Sequence, residues 1–232
     1  MKTLLIKLSG EIFSYSPSQK SEGLFIKNLL SQIKELKKTF NLGIVIGGGN
    51  IFRGSKDGKK YNLRPTTAHC AGMLATIING LILKDLLEKS SMEASILSAL
   101  ACPIATELIT QENIDKNISK NRIIIFVGGT GNPFFTTDTN AMLRALQMES
   151  EIVFKGTKVD GIFDTDPMLD PKSKLLKKIS YDYFIEKELK IMDLAAITLA
   201  KEHKIKMKVF NIFEPNALIK AYKDKNFGSS IN

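Results

Sequence analysis

Cysteine is scarce. Cys70 and Cys102 are the only two, and neither lies in a Cys-x-x-Cys pair. That excludes a disulfide framework and makes a reducing cytoplasm the expected location. Long apolar runs are missing as well. None approaches the roughly 20 residues of a membrane helix, so no membrane association is expected. The first seven residues, Met1-Lys2-Thr3-Leu4-Leu5-Ile6-Lys7, have too short an apolar core for a signal peptide. Arginine is limited to Arg53, Arg64, Arg122 and Arg144. The net charge of +9 is therefore carried by lysines spread along the chain. With no nucleic-acid-binding motif beside them, they read as a solvated basic surface, and no nucleic-acid partner is expected. There is no Gly-x-x-x-x-Gly-Lys-Ser/Thr loop, which speaks against a P-loop kinase. Repeats, linkers and low-complexity tracts are absent too, and a length of 232 residues allows one large domain or two small ones.

What is present centres on residues 128–138, Gly-Gly-Thr-Gly-Asn-Pro-Phe-Phe-Thr-Thr-Asp. An apolar run at 123–127 precedes it, and helical periodicity at 140–148 follows. A buried strand thus enters a glycine turn and a helix leaves it. Glycines let backbone N–H groups approach a ligand, and Thr136, Thr137 and Asp138 are good N-cap types. A helix N-terminus with free N–H groups suits an anion. The alternative is a tight turn that needs glycine for its backbone angles, but Pro-Phe-Phe is an unusual filling for a plain turn.

The flanking elements repeat this design. A buried strand at 3–8 carries one charge, Lys7, and turns at Ser9-Gly10. Residues 21–40 form an amphipathic helix, and a strand at 42–46 ends in Gly47-Gly48-Gly49-Asn50, followed by Arg53. Residues 55–65 read as a mobile loop, 66–89 as a long helix with a mostly core apolar set, and 94–97 as a strand. The strand 152–154 brings Lys155 to the same edge. Asp164, Asp166 and Asp170, with Pro167 and Pro171, read as turn chemistry, since a calcium loop would need a central glycine and a terminal glutamate. Helices at 181–188, 192–203 and 215–222 alternate with strands at 206–210 and 227–231. The expected fold is an α/β three-layer sandwich, with a mostly parallel central sheet between two helical layers.

The stretches Leu-Ile-Lys-Leu-Ser-Gly-Glu (5–11), Ile-Gly-Gly-Gly-Asn-Ile-Phe-Arg-Gly (46–54), Gly-Met-Leu-Ala-Thr (72–76), Lys-Gly-Thr-Lys-Val-Asp-Gly-Ile-Phe (155–163) and Met-Asp-Leu-Ala-Ala (192–196) complete the set. With the 128–138 motif they closely resemble the UMP kinase branch of the amino acid kinase family, over nearly the whole chain. The resemblance implies a single domain over 1–232 with two lobes, one for the nucleoside monophosphate and one for ATP. It also implies transfer of the γ-phosphoryl group of ATP to UMP, giving ADP and UDP for pyrimidine nucleotide biosynthesis, with Mg²⁺ and in a homohexamer. Lys7, Arg53, Asp138, Lys155 and Asp193 match catalytic positions. Lys7, Leu8, Ser9, Gly10, Gly49, Arg53, Thr157, Phe163 and Asp166 match positions around ATP. Gly48, His69, Thr130, Gly131, Asn132, Pro133, Phe134, Phe135, Thr136 and Thr137 match positions around UMP. Mg²⁺ is expected on phosphate oxygens, with no direct protein ligand. His69 departs from the family, which usually has an aspartate three residues before this glycine.

Three other readings compete. Enzymes of the same fold that phosphorylate carboxylates lack the Asn-Pro-Phe-Phe-Thr-Thr stretch. A non-catalytic nucleotide binder would have no need of Lys7, Arg53 and Asp138. A nucleic-acid binder rests on net charge alone.

Overall fold

The computed structural model describes residues 1–14, 22–167, 169–170 and 172–232. The strands in chain order are β1 (Lys2–Leu8), β2 (Phe40–Ile46), β3 (Ala94–Ser98), β4 (Glu107–Leu108), β5 (Ile123–Val127) and β6 (Ile152–Thr157). A small hairpin follows, β7 (Ile162–Phe163) with β8 (Leu175–Leu176), and then β9 (Lys178–Ile179), β10 (Lys206–Asn211) and β11 (Ser229–Ile231). The helices are α1 (Glu22–Lys37), α2 (Gly54–Lys60), α3 (Pro65–Lys89), α4 (Gln111–Ser119), α5 (Thr137–Gln147), α6 (Tyr181–Glu186), α7 (Leu194–Glu202) and α8 (Ala217–Lys223). Nine strands form one sheet in the order β4-β3-β5-β2-β1-β6-β10-β11-β9. Its pairings are parallel except for β10 with β11.

Two-residue alternation along β1 explains the layers. Leu4, Ile6 and Leu8 join a core with Leu29, Ile33, Ile77, Leu83 and Leu218, under α1, α3 and α8. Leu5 joins the opposite core with Ile124, Phe126, Met142, Ala145 and Ile197, under α4 to α7. Each such residue contributes about 1.5–3 kcal/mol by leaving water. The expected α/β/α sandwich is what forms. The same alternation puts Lys7 on the side of Leu5, and Lys155 on the side of Val153. Both lysines therefore face the layer that contains α5.

Several boundaries differ from the sequence reading. Phe40 is no helix residue: α1 ends at Lys37, and Phe40 opens β2 opposite Lys2. Its four-residue spacing from Leu36 imitates a helix face, but sheet pairing and an edge-on contact with Tyr222 at 5.1 Å take precedence. Residue 21, the expected start of that helix, and Pro171 of the acidic stretch lie outside the described residues. Residues 55–65 are largely helical rather than a mobile loop. The Asp57 carboxylate accepts the Arg53 backbone N–H at 2.6 Å, and Gly58 lets α2 close on Ala68. The segment 107–119, unassigned from sequence, holds β4 and α4, with Thr110 capping Asn113 N–H at 3.1 Å.

The apolar set of α3 is not mostly core, as the sequence suggested. Ala75, Ile77, Leu83 and Leu87 are buried, while Leu74, Ile78, Leu81 and Ile82 are 41–49% exposed. By length and composition α3 is also apolar enough to cross a membrane, against the expectation from run length. Thr76, Asn79 and Gly80 interrupt its apolar run, and these residues are buried against the protein. Gly80 packs so close to β5 that an added Cβ would lie 2.5 Å from Val127.

Candidate active site

The carboxyl ends of β2, β1 and β6 lie side by side at one edge of the sheet. Lys7 and Lys155 are direct partners in the β1–β6 register. Two ammonium groups so placed repel each other unless an anion lies between them. Asp138, in the first turn of α5, supplies it. Its Oδ1 is 3.0 Å from Lys7 Nζ, and Lys155 Nζ donates to Oδ2. Asp138 is buried to 12% side-chain exposure and Lys155 to 6%. Burial pushes the Asp138 pKa up, but Lys7 and then Lys155 outweigh it and bring it down to about 2. Lys155 is pulled down to about 8 by burial first and Lys7 second, against the pull of Asp138. The cluster carries a net positive charge at neutral pH.

Asp193 is set one step back. It caps α7 by accepting Ala196 N–H at 3.1 Å, and it accepts the Thr139 hydroxyl at 2.7 Å and the Thr136 hydroxyl. Thr136 in turn caps α5, accepting Asp138 N–H at 3.0 Å and Thr139 N–H at 3.3 Å. The carboxylate thus ties the N-termini of two helices together just behind the lysines, a position that suits orientation better than direct contact with an anion.

A cleft of about 370 Å³ opens in front of this cluster, lined by Lys7, Ser9, Gly47 to Gly49, Phe52 to Ser55, Ala68, His69, Gly72, Met73, Thr76, Gly129, Asn132, Phe135, Thr136 and Thr137. The structure therefore gathers Lys7, Ser9, Gly48, Gly49, Arg53, His69, Asn132, Phe135, Thr136 and Thr137 around one space. Leu8 and Gly10 stand behind it. Leu8 is fully buried, and its carbonyl accepts Gly47 N–H at 2.9 Å. Gly10 is fixed by crowding: a Cβ there would lie 2.0 Å from Asn50 Oδ1 and 2.6 Å from Gly47 O. Thr130 lines a neighbouring groove with Asn132 and Phe135, beside Leu143 and Leu194. Gly131 has φ +81°, and its N–H bonds Gly128 O at 3.1 Å, which closes the turn before Pro133. Phe134 holds φ 72°, a strained angle for an aromatic residue. Its ring sits 4.9 Å from that of His69, so these two residues pack on each other at the cleft mouth.

Phe163 and Asp166 lie elsewhere, in a cavity of about 510 Å³ shared with Ile162, Leu189 and Ile191. Thr157 ends β6, lines neither space, and accepts the N–H of Val159, which lines the second cavity, at 3.0 Å. The acidic stretch beside this cavity folds as turn chemistry. Asp164 accepts Lys174 N–H at 2.7 Å and Asp170 accepts Lys172 N–H at 2.9 Å.

Three supporting residues escaped the sequence reading. Asn79 donates to Gly47 O and to Asn50 Oδ1, both at 2.7 Å, which pins the glycine turn after β2. Thr76 accepts Gly128 N–H at 2.7 Å and so joins α3 to the central motif. Glu11 pairs with Arg53 and Lys158, each at 3.0 Å. Thr76 and Glu11 lie in stretches whose pattern was visible, but their partners come from distant sequence. Asn79 interrupts the apolar helix, and a buried polar residue there was its only signal.

Comparison with known proteins matches this architecture. The amino acid kinase family model covers residues 2–211. The uridylate kinase of Mycoplasma pneumoniae is 41% identical over 220 residues, spanning 94% of this chain and 93% of that protein. That of Fervidobacterium nodosum is 43% identical over 231 residues, spanning 99% and 97%. Among solved structures, the UMP kinase from Ureaplasma parvum superposes with a TM-score of 0.92 at 36% identity, over 100% of this chain and 98% of that one. The UMP kinase from Bacillus anthracis gives 0.91 at 29% identity, over 100% and 96%. The chain belongs to the amino acid kinase family and, within it, to the uridylate kinase branch.

Proposed function

We propose that this protein transfers the γ-phosphoryl group of ATP to UMP, giving ADP and UDP, for pyrimidine nucleotide biosynthesis in the cytoplasm. The observation that carries the reading is the Lys7–Asp138–Lys155 cluster, whose Lys7 lines a glycine-rich cleft. An α-phosphate oxygen of UMP is already anionic at neutral pH, so attack on the γ-phosphorus needs no general base. The new P–O bond forms as the bond to the β-phosphate bridging oxygen breaks, and ADP leaves with that electron pair. The difficulty is bringing two polyanions into line, so catalysis is positioning plus charge stabilisation. Lys7 and Lys155 neutralise the transferred group. Asp138 keeps both ammonium groups aimed at one point. Arg53 and the backbone amides near Gly48 and Gly49 take the remaining phosphate oxygens.

The two spaces divide the substrates. The cleft by His69, Asn132, Phe135 and Thr136 takes UMP, and the cavity by Phe163 and Asp166 takes adenosine. One domain with two lobes thus holds both. A divalent metal belongs to phosphoryl transfer of this kind, and Mg²⁺ is the ion proposed. Among the described residues no group of three or more His, Cys, Asp or Glu gathers to hold a metal, and Asp138 is engaged by two lysines. That donor set fits an ion held mainly by phosphate oxygens, where it neutralises their charge. The exposed Leu74, Ile78, Leu81 and Ile82 suit a contact with another copy of the chain, in keeping with the proposed homohexamer.

The test is ADP release with UMP, CMP, N-acetylglutamate, aspartate or no acceptor. UMP should give the highest kcat/KM by a wide margin. Turnover with a carboxylate acceptor and none with UMP would overturn the reading.

A further inference from the structure

The sheet order places β2, β1 and β6 next to one another, and the segment after each strand carries a charged residue of one cluster. Arg53 follows β2, Glu11 follows β1, and Lys158 follows β6. The Glu11 carboxylate bridges the other two, with Oε1 3.0 Å from Arg53 Nη2 and Oε2 3.0 Å from Lys158 Nζ. Glu11 itself is fixed by the short helical turn Gly10–Phe13, whose start is capped by Ser9. The Arg53 side chain is 53% exposed and that of Lys158 62%, whereas that of Glu11 is 23% exposed. An inner carboxylate thus holds two outer cations beside the Arg53 end of the cleft, where the kinase reading puts phosphate oxygens.

We infer that Glu11 is a displaceable internal anion: it pairs with Arg53 and Lys158 and competes with the ATP polyphosphate for them. Exposed ion pairs are individually weak, so the bridge sets the two side chains in place yet yields to a ligand carrying several charges. A polyphosphate offers more acceptor oxygens and more charge than one carboxylate, and both cations transfer to it. In the loaded site Glu11 is then a like charge near the phosphates, which limits their affinity and favours release of ADP. Glu11 is a positioning residue on this account.

The inference rests on the kinase reading, and the experiment separates the two. Inorganic tripolyphosphate and ADP are titrated into wild type, Glu11→Gln, Lys158→Ala and the double variant by calorimetry. Glu11→Gln should bind both ligands about threefold to tenfold more tightly, the size expected from releasing two weak pairs. The gain should shrink in the Lys158→Ala background, because one of the freed cations is gone. Glu11→Asp, a milder change that shortens the reach of the carboxylate, should shift affinity the same way by less. In turnover, KM for ATP should fall in Glu11→Gln, while kcat falls or holds as ADP release slows. Equal or weaker binding by Glu11→Gln would overturn the inference and leave the kinase reading standing. So would a gain of undiminished size with Lys158→Ala. No binding of either ligand by the wild type would overturn both.

Discussion

Asp138→Asn removes the anion between Lys7 and Lys155 while leaving the shape of the site nearly unchanged. Stripping one partner from a buried ion pair costs about 3–5 kcal/mol when the survivor keeps its charge. Lys155 has an escape, because its pKa is already drawn down to about 8. Giving up its proton at pH 7 costs about 1.4 kcal/mol per pH unit in the wild type, and less once Asp138 no longer favours the charge. The expected loss at pH 7 is therefore about 2–3 kcal/mol, below the full penalty of a trapped charge. A lysine whose folded pKa is lowered penalises folding below that pKa. The penalty is relieved as pH rises towards the unfolded value near 10.5. The difference between variant and wild type should shrink from pH 6 to pH 9. Urea unfolding at fixed protomer concentration measures it. The alkaline limb of kcat/KM, which reports the free enzyme, should sit near 8 in the wild type and move down in Asp138→Asn. Adding Lys155→Met should restore part of the stability by removing the orphaned group. A loss under about 0.5 kcal/mol, the size of an ordinary surface change, with the limb unmoved would refute the reasoning.

Other expectations follow from particular contacts. Gly10→Ala should destabilise the fold and sharply reduce activity, since its Cβ would fall 2.0 Å from Asn50 Oδ1 and 2.5 Å from Asn79 Nδ2; thermal unfolding and turnover check this. His69→Asp should raise the kcat/KM ratio of UMP to dUMP, because a carboxylate can accept from both ribose hydroxyls and a neutral imidazole has one acceptor; an unchanged ratio would place His69 away from the sugar. Leu81→Glu with Ile82→Glu, on the exposed face of α3, should lower the mass seen by light scattering, and a 25.8 kDa monomer in the unmodified protein would refute assembly.

Strands β1, β2 and β5 were legible because they are largely apolar on both faces and run into glycine turns. Residues 123–127 match β5 residue for residue, and the turn after them needed positive φ at Gly128, Gly129 and Gly131. Lys7, Arg53 and Lys155 were legible as cations at strand ends. Their geometry was not, because the register that sets Lys7 opposite Lys155 is a property of pairing between distant strands. The helix α2 was hidden by its Gly and Lys content, which reads as loop until Asp57 is seen to cap it. Phe40 misled because one aromatic residue fits a helix face and a strand start equally well. The bridging role of Glu11 was out of reach, since it needs three chain segments brought together.

The central claim is that cations at this strand edge carry the transfer of phosphate to UMP. Its most direct test is single-turnover transfer of label from the γ-phosphate of ATP to UMP by the wild type and Lys7→Ala, with folding of both verified. The account predicts label in UDP from the wild type, and a rate at least about a hundredfold lower in Lys7→Ala, the scale of losing one charge-stabilising group. Transfer at the wild-type rate by folded Lys7→Ala, or no label in UDP from the wild type, would contradict it.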